Sequence, residues 1–182
     1  MKIISGKYKG RILDGFHLKG TRPTMDRVKE SLFAMIQNEI PDSIVLDLFA
    51  GSGNLGIEAL SEGASFAYLV DQNHKAVQTI EKNLNKIGIE NAKVYCLSFL
   101  KALALFLEEG LLFDIIFLDP PYQTDYIEKS ISFIDEKKLL KKNGLIVCES
   151  DRLDKIIYSS SFQVLNEKRY GDKYIVILQK ID

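Results

Sequence analysis

The stretch that most limits what this chain can fold into is Phe113-Asp-Ile-Ile-Phe-Leu-Asp-Pro-Pro-Tyr122. Ile115 to Leu118 has no polar member, so it reads as a strand buried on both faces in the middle of a parallel sheet. Then the ladder must stop, because neither Pro120 nor Pro121 has an N–H to donate, and Pro121 holds Pro120 extended. A stiff loop at the carboxyl end of a central strand stands where open α/β sheets place their ligands. It offers the Asp119 carboxylate, the Pro120 carbonyl and the Tyr122 ring. Two acceptors and an aromatic ring in one rigid loop suit a planar base with an exocyclic amino group. The ring stacks on the base and the acceptors take the two amino hydrogens.

Around that strand, apolar runs alternate with helical patterns. Expected strands are Ile44–Phe49, Phe66–Val70, Ala92–Tyr95, Phe113–Leu118, Leu145–Glu149, Phe162–Arg169 and Tyr174–Gln179. Expected helices are Met25–Glu39, Leu55–Glu62, Asn73–Lys86, Phe99–Glu109, 125–134 and a short one near 153–157. Thr24 is the expected cap of the first helix. Strands separated by helices require parallel pairing through right-handed crossovers. The pattern predicts a doubly wound, mostly parallel seven-stranded sheet. Gly171-Asp172 turns the last two strands into an antiparallel hairpin. Residues 1–20 alternate apolar and basic residues between glycines, which suggests one or two short antiparallel strands. The 182 residues suit one domain: a basic β extension (1–22), a helix (23–40) and a Rossmann-like core (41–182).

Charge is unevenly spread. Residues 1–29 carry eight Lys/Arg against Asp14 and Asp26, while the whole chain has a net charge of −1. Either a polyanion meets the front of the chain, or this is a solvated terminus. Lys7, Lys9, Arg11, Arg22 and Arg27, with Lys2 and Lys19, are candidate phosphate contacts. Arg22, Thr24 and Arg27 have a second reading, in which they close over a ligand. Cys96 and Cys148 lie in apolar stretches with no ligand-spaced partner, so two buried, reduced thiols are expected and a metal site is not. No apolar run approaches a membrane span of roughly 20 residues, and the start lacks a signal peptide's apolar core. The expectation is a cytoplasmic protein.

The second motif is Gly51-x-Gly53-x-x-Gly56, set between a strand and a helix, with Asp71 twenty residues after Gly51. In form this is a dinucleotide fingerprint with its ribose acid. Asp47, however, puts a carboxylate near the carboxyl end of the first strand, which suits a cationic ligand better than a pyrophosphate. S-adenosylmethionine carries both an ammonium and a sulfonium. Asp47 also has a plainer reading, as a cap for the glycine turn.

Four segments together resemble one family: Ile3-Ile-Ser-Gly-Lys-Tyr-Lys-Gly-Arg11, Arg22-Pro-Thr-Met-Asp-Arg-Val-Lys-Glu-Ser-Leu-Phe33, Asp47 through Leu60, and Phe113 to Tyr122. Arg169-Tyr-Gly-Asp172 extends the likeness. The chain is similar to the bacterial small-subunit (16S) ribosomal RNA guanine-N2 methyltransferases, which belong to the class I S-adenosylmethionine-dependent methyltransferases. The resemblance implies methyl transfer from S-adenosylmethionine to a guanine N2 amine, with ribosomal RNA or the small ribosomal subunit as partner and a monomer or weak dimer as the working form. It implies that Asp119, Pro120, Pro121 and Tyr122 form the catalytic corner. It further implies that Asp47, Phe49, Gly51 and Gly53 line the methionine side, that Asp71 holds the ribose, and that Ser52 and Gln72 also bind the cofactor. Many relatives have an aspartate after the third strand. Here the chain reads Tyr95-Cys-Leu-Ser98, which leaves Ser98 as the substitute facing adenine.

In this reading Asp119 acts as an ionised acceptor, without deep tuning of its proton affinity. Competing readings are an adenine-N6 methyltransferase with the same loop, a glutamine-N5 protein methyltransferase, an RNA-binding module and an NAD-dependent oxidoreductase. The first needs a recognition domain that the segment after Tyr122 is too short to supply. The second typically has asparagine where Asp119 stands.

Overall fold

The structure, a computed structural model, describes residues 1–15, 23–122 and 124–182, the first two helical residues by backbone alone. Seven strands form one sheet: β1 (Ile44–Asp47), β2 (Phe66–Asp71), β3 (Ala92–Cys96), β4 (Phe113–Leu118), β5 (Leu140–Ser150), β6 (Phe162–Tyr170) and β7 (Lys173–Lys180). Their order is β3-β2-β1-β4-β5-β7-β6. Pairing is parallel from β3 to β5, and β7 runs antiparallel to both β5 and β6. This is the doubly wound sheet with a reversed C-terminal hairpin that the alternation predicts. The winding changes direction between β1 and β4, so their carboxyl ends diverge and leave a crevice.

The helices are α1 (Pro23–Met35), α2 (Asn54–Ser61), α3 (His74–Ile87), α4 (Phe99–Glu108) and α5 (Tyr126–Glu136). Side-chain alternation along the central strands divides the core in two. Val45, Ile115, Phe117 and Leu145 pack with residues of α1, α2 and α3. Leu46, Ile116, Leu118 and Ile146 pack with residues of α4 and α5. All of these strand residues are at most 1% exposed, as expected for a strand covered on both faces. None of the described helices is long and apolar enough to cross a membrane.

Several boundaries move for physical reasons. The first helix begins at Pro23, a residue pre-set for a first turn, so Thr24 lies inside the helix instead of capping it. That helix ends at Met35 and continues as turns through Ile36 and Glu39. The fifth strand starts at Leu140, before the expected Leu145, because Leu140 already pairs with Phe113; a register shift then absorbs the polar Lys141–Gly144 stretch. The short helix near residue 153 is a single 3₁₀ turn, Leu153–Lys155. Cys148 is buried as expected, but Cys96 is exposed. Cys96 ends β3, an edge strand, and so has a neighbour on one side only.

The N-terminal segment is docked instead of floppy. Among the described residues 1–15 it has one antiparallel bridge, Lys2 with Ile12; the expected one or two strands spanned residues 1–20, of which 16–20 lie outside the described residues. Ile3 and Leu13 are 1% and 2% exposed. Lys29, counted among the basic residues of the front of the chain, is buried in an ion pair with Glu58 at 2.7 Å. Glu58 also accepts the backbone N–H groups of Ile4 and Ser5, so one buried carboxylate ties α1, α2 and the N-terminal segment together.

Candidate active site

A cleft of about 930 Å³ opens at the carboxyl ends of β1, β2, β4 and β5. Its floor follows from the glycine turn. Gly51 has φ 57°, and a Cβ added there would meet no atom within 4 Å, so it would project into open space. The turn thus exposes bare backbone to the cleft, as close approach of a ligand requires. Gly53 has φ 86° and faces Ile57, Leu69 and Ile80 instead, so its role is to make the turn.

Two carboxylates fix the turn from below. Asp47 Oδ2 accepts the Gly56 N–H at 2.9 Å, and Asp71 Oδ2 accepts the Gly51 N–H at 2.9 Å. Asp71 Oδ1 takes the Asn73 N–H at 2.8 Å. The capping reading of Asp47 is therefore present in the structure, and Asp47 lines the cleft as well. Burial pushes its proton affinity up, to a pKa of about 7, with Asp71 adding to the shift and the Gly56 N–H opposing it.

Asp119, Pro120 and Pro121 form part of the wall of the same cleft. Asp119 is partly exposed at that wall. Tyr122 is 44% exposed and stands just outside, against a shallow depression shared with Pro120, Pro121 and Glu149. Its ring has the Lys173 ammonium 5.7 Å from its centroid. Asp119 departs from the sequence reading in one respect. Burial first, then the Glu149 carboxylate, raises its proton affinity well above the usual carboxylate range, while Lys173 pulls it down. The corner tunes its acid after all.

An aromatic group lines another side. Phe49, Phe99 and Tyr126 all face the cleft. Ring centroids are 4.6 Å apart for Phe99–Tyr126, 5.4 Å for Phe49–Phe99 and 6.0 Å for Phe49–Tyr126. Such a surface suits a planar ring. Leu97 and Phe99 line the cleft but Ser98 between them does not, which removes the geometric support for Ser98 as the adenine contact. Ser52 and Gln72 do line it.

Other lining residues escaped the sequence reading: Met1, Met25, Val28, Glu149, and Tyr170 through Lys173. No local pattern marks them. The Arg169-Tyr-Gly-Asp172 likeness was the only signal pointing toward the hairpin turn. Of the basic candidates, Lys7, Lys9, Arg11 and Arg27 are exposed, and Arg11 donates to the Lys86 carbonyl at 3.1 Å. None of these four lines the cleft. Arg22 and the Thr24 side chain lie outside the described residues.

The profile of a family described as Conserved hypothetical protein 95 matches residues 1–179. YlbH of Bacillus subtilis strain 168 is 40% identical over 182 residues, 99% of each chain. The chain belongs to this family. Another relative, "Ribosomal RNA small subunit methyltransferase D" of Haemophilus influenzae, is 38% identical over 94% of this chain and 89% of its own. The solved structure of yhhF from Escherichia coli has a TM-score of 0.88 at 33% identity, over 100% of this chain and 98% of that one. The Conserved hypothetical protein 95 profile thus runs through the N-terminal segment, the glycine turn, the proline corner and the C-terminal hairpin alike.

Proposed function

We propose that the protein transfers a methyl group from S-adenosylmethionine to the exocyclic N2 amine of a guanine in small-subunit ribosomal RNA. The observation that carries this reading is that the glycine turn and the Asp119-Pro120 corner open onto one cleft. The family relationship supports it, since the Haemophilus influenzae relative is a ribosomal RNA small subunit methyltransferase by name.

The cleft suits the donor. Bare backbone at Gly51 allows close approach, Asp47 can face a cation, Asp71 and Gln72 border the ribose position, and Phe49, Phe99 and Tyr126 offer a surface for adenine. When bound, S-adenosylmethionine supplies an electrophilic methyl on sulfur, and the C–S electron pair leaves with the sulfur.

The chain's own part is positioning. A guanine N2 lone pair is conjugated into the ring and is a weak nucleophile. The Asp119 carboxylate and the Pro120 carbonyl each accept one N–H, which draws the hydrogens out of the ring plane and aims the lone pair. Fixed acceptors of this kind work through orientation and electrostatic preorganisation. Methylated nitrogen carries an extra proton, which passes to Asp119 or water. Tyr122 stacks on the base, worth about 1–3 kcal/mol, and offsets part of the few kcal/mol needed to unstack it.

The test supplies labelled methyl donor with unmodified small-subunit RNA or assembled subunits and identifies the product nucleoside by mass. N2-methylguanosine is the expected product. N6-methyladenosine would move the reading to the adenine-N6 class, and no transfer to either substrate would end it.

A further inference from the structure

Among the described residues, Lys173 is a cation of the catalytic corner that the sequence pattern does not reveal. It opens β7, one residue beyond the Gly171-Asp172 turn, in the closing pair with Tyr170. Glu149, near the end of β5, pairs across the sheet with Ile175. Lys173 lies two residues before Ile175 and so shares its face, the diagonal position from which a long side chain reaches a cross-strand carboxylate. The two side chains form an ion pair, 36% and 15% exposed, and both line the cleft that holds Asp119. The same ammonium stands over the Tyr122 ring. Charge, anchoring and location thus converge on Asp119 from a segment more than fifty residues away.

We propose that Lys173, anchored by Glu149, is a positioning residue for methyl transfer: it supplies the countercharge that lets the Asp119 carboxylate accept the hydrogens of the target amine. This inference rests on the reading of Asp119 given above. The other charges around Asp119 set the problem that Lys173 solves. Glu149 from β5 and Asp47 from β1 act on it, Asp71 from β2 acts on Asp47 behind it, and Asp172 in the hairpin turn lines the same cleft. Tyr122 adds a neutral phenol. Lys29, a cation on the α1 side of the cleft, is engaged by Glu58. Without Lys173, the charged described neighbours acting on Asp119 would be the acids Glu149 and Asp47, facing a carboxylate that must be charged to work. The surroundings agree: among the described residues, Lys173 is the charged neighbour that lowers the proton affinity of Asp119. Burial works against its own ammonium, yet Glu149, Tyr122 and Asp119 together hold its proton above the usual lysine range.

The experiment compares the full chain with Lys173→Met, which keeps the aliphatic stem, and Lys173→Arg, which keeps the charge. Carbon-13 NMR follows the Asp119 carboxyl through pH, with the resonance assigned by its loss in Asp119→Asn. In Lys173→Met the midpoint should rise by about one pH unit or more, and in Lys173→Arg it should stay close to the parent. Turnover of Lys173→Met should fall roughly tenfold on the acid limb and recover at high pH. Binding of S-adenosylhomocysteine and the melting temperature check that the variants are folded. An unmoved Asp119 midpoint in Lys173→Met, or a loss of turnover equal at every pH, overturns the proposal. The titration needs no substrate, so it decides the role of Lys173 even if the parent chain leaves ribosomal RNA unmethylated, a result that would instead remove the functional reading.

Discussion

The Asp47 carboxylate accepts the Gly56 N–H at 2.9 Å, so the last residue of β1 also satisfies a free donor in the first turn of α2. Strand, glycine turn and helix are locked by one side chain that is 1% exposed. The same carboxylate borders the cleft. One residue thus combines a structural bond with a charge that the fold itself disfavours.

That conflict has a pH signature. The folded pKa of Asp47 is raised from 3.8 to about 7. Between these values the native state holds a proton that the unfolded state has released, so stability falls as pH rises through this window. Asp47→Asn removes the penalty and can keep the bond to Gly56. The variant should be more stable than the parent at pH 8, by up to roughly 4 kcal/mol, and near parity below pH 4. Its affinity for S-adenosylhomocysteine should drop, because the ammonium loses its counter-ion. Chemical denaturation at both pH values and calorimetric binding check the two halves.

Asp119→Ala should reduce turnover about 100-fold or more, with binding of S-adenosylhomocysteine within a few-fold of the parent. Turnover kept at the parental level would exclude Asp119 from the chemistry.

Tyr122→Ala should act mainly on productive RNA binding. Loss of a stacking surface worth about 1–3 kcal/mol raises KM for RNA roughly 5- to 150-fold. A kcat falling by that factor at unchanged KM would argue that the ring acts on the reaction and not on binding.

Glu58→Gln should destabilise the fold by about 3–5 kcal/mol, because it leaves the Lys29 charge buried without its partner. The double variant Glu58→Gln with Lys29→Met should recover part of that loss. Limited proteolysis in the N-terminal segment should rise in the single variant, since Ile4 and Ser5 lose their charged acceptor.

Removing residues 1–20 is too blunt a test of RNA docking, since it also deletes the buried Ile3 and Leu13. Lys7→Ala and Lys9→Ala leave that packing in place. Each lysine that contacts phosphate should lower the slope of log affinity against log salt by about 0.7–0.9. An unchanged slope in the double variant would place the docking surface elsewhere.

Periodicity made the sheet legible. Polar-free runs such as Ile115–Leu118 can only be covered on both faces, and helical spacing between them forces parallel crossovers. Asn73 was readable as the start of a helix, and it caps α3 by accepting the Lys75 N–H, while Gly88 ends that helix at φ 83°. Less of the site could be read. The glycine turn and the proline corner are contiguous motifs whose residue types announce their backbone shapes. The aromatic group of Phe49, Phe99 and Tyr126 comes from three separate segments, and at the exit from β3 it is Leu97 and Phe99, not Ser98, that line the cleft.

The order of amino acids alone determined the alternating strands and helices, the bare turn at Gly51 and the rigid acceptor corner at Asp119, because each depends on neighbours within a few residues. Tertiary structure decided the charge environment. Glu149 and Lys173 reach Asp119 only once β7 has paired antiparallel with β5, and Lys29 becomes a core residue only when α1 packs over Glu58. Proton affinities follow from burial and through-space distance, and folding sets both.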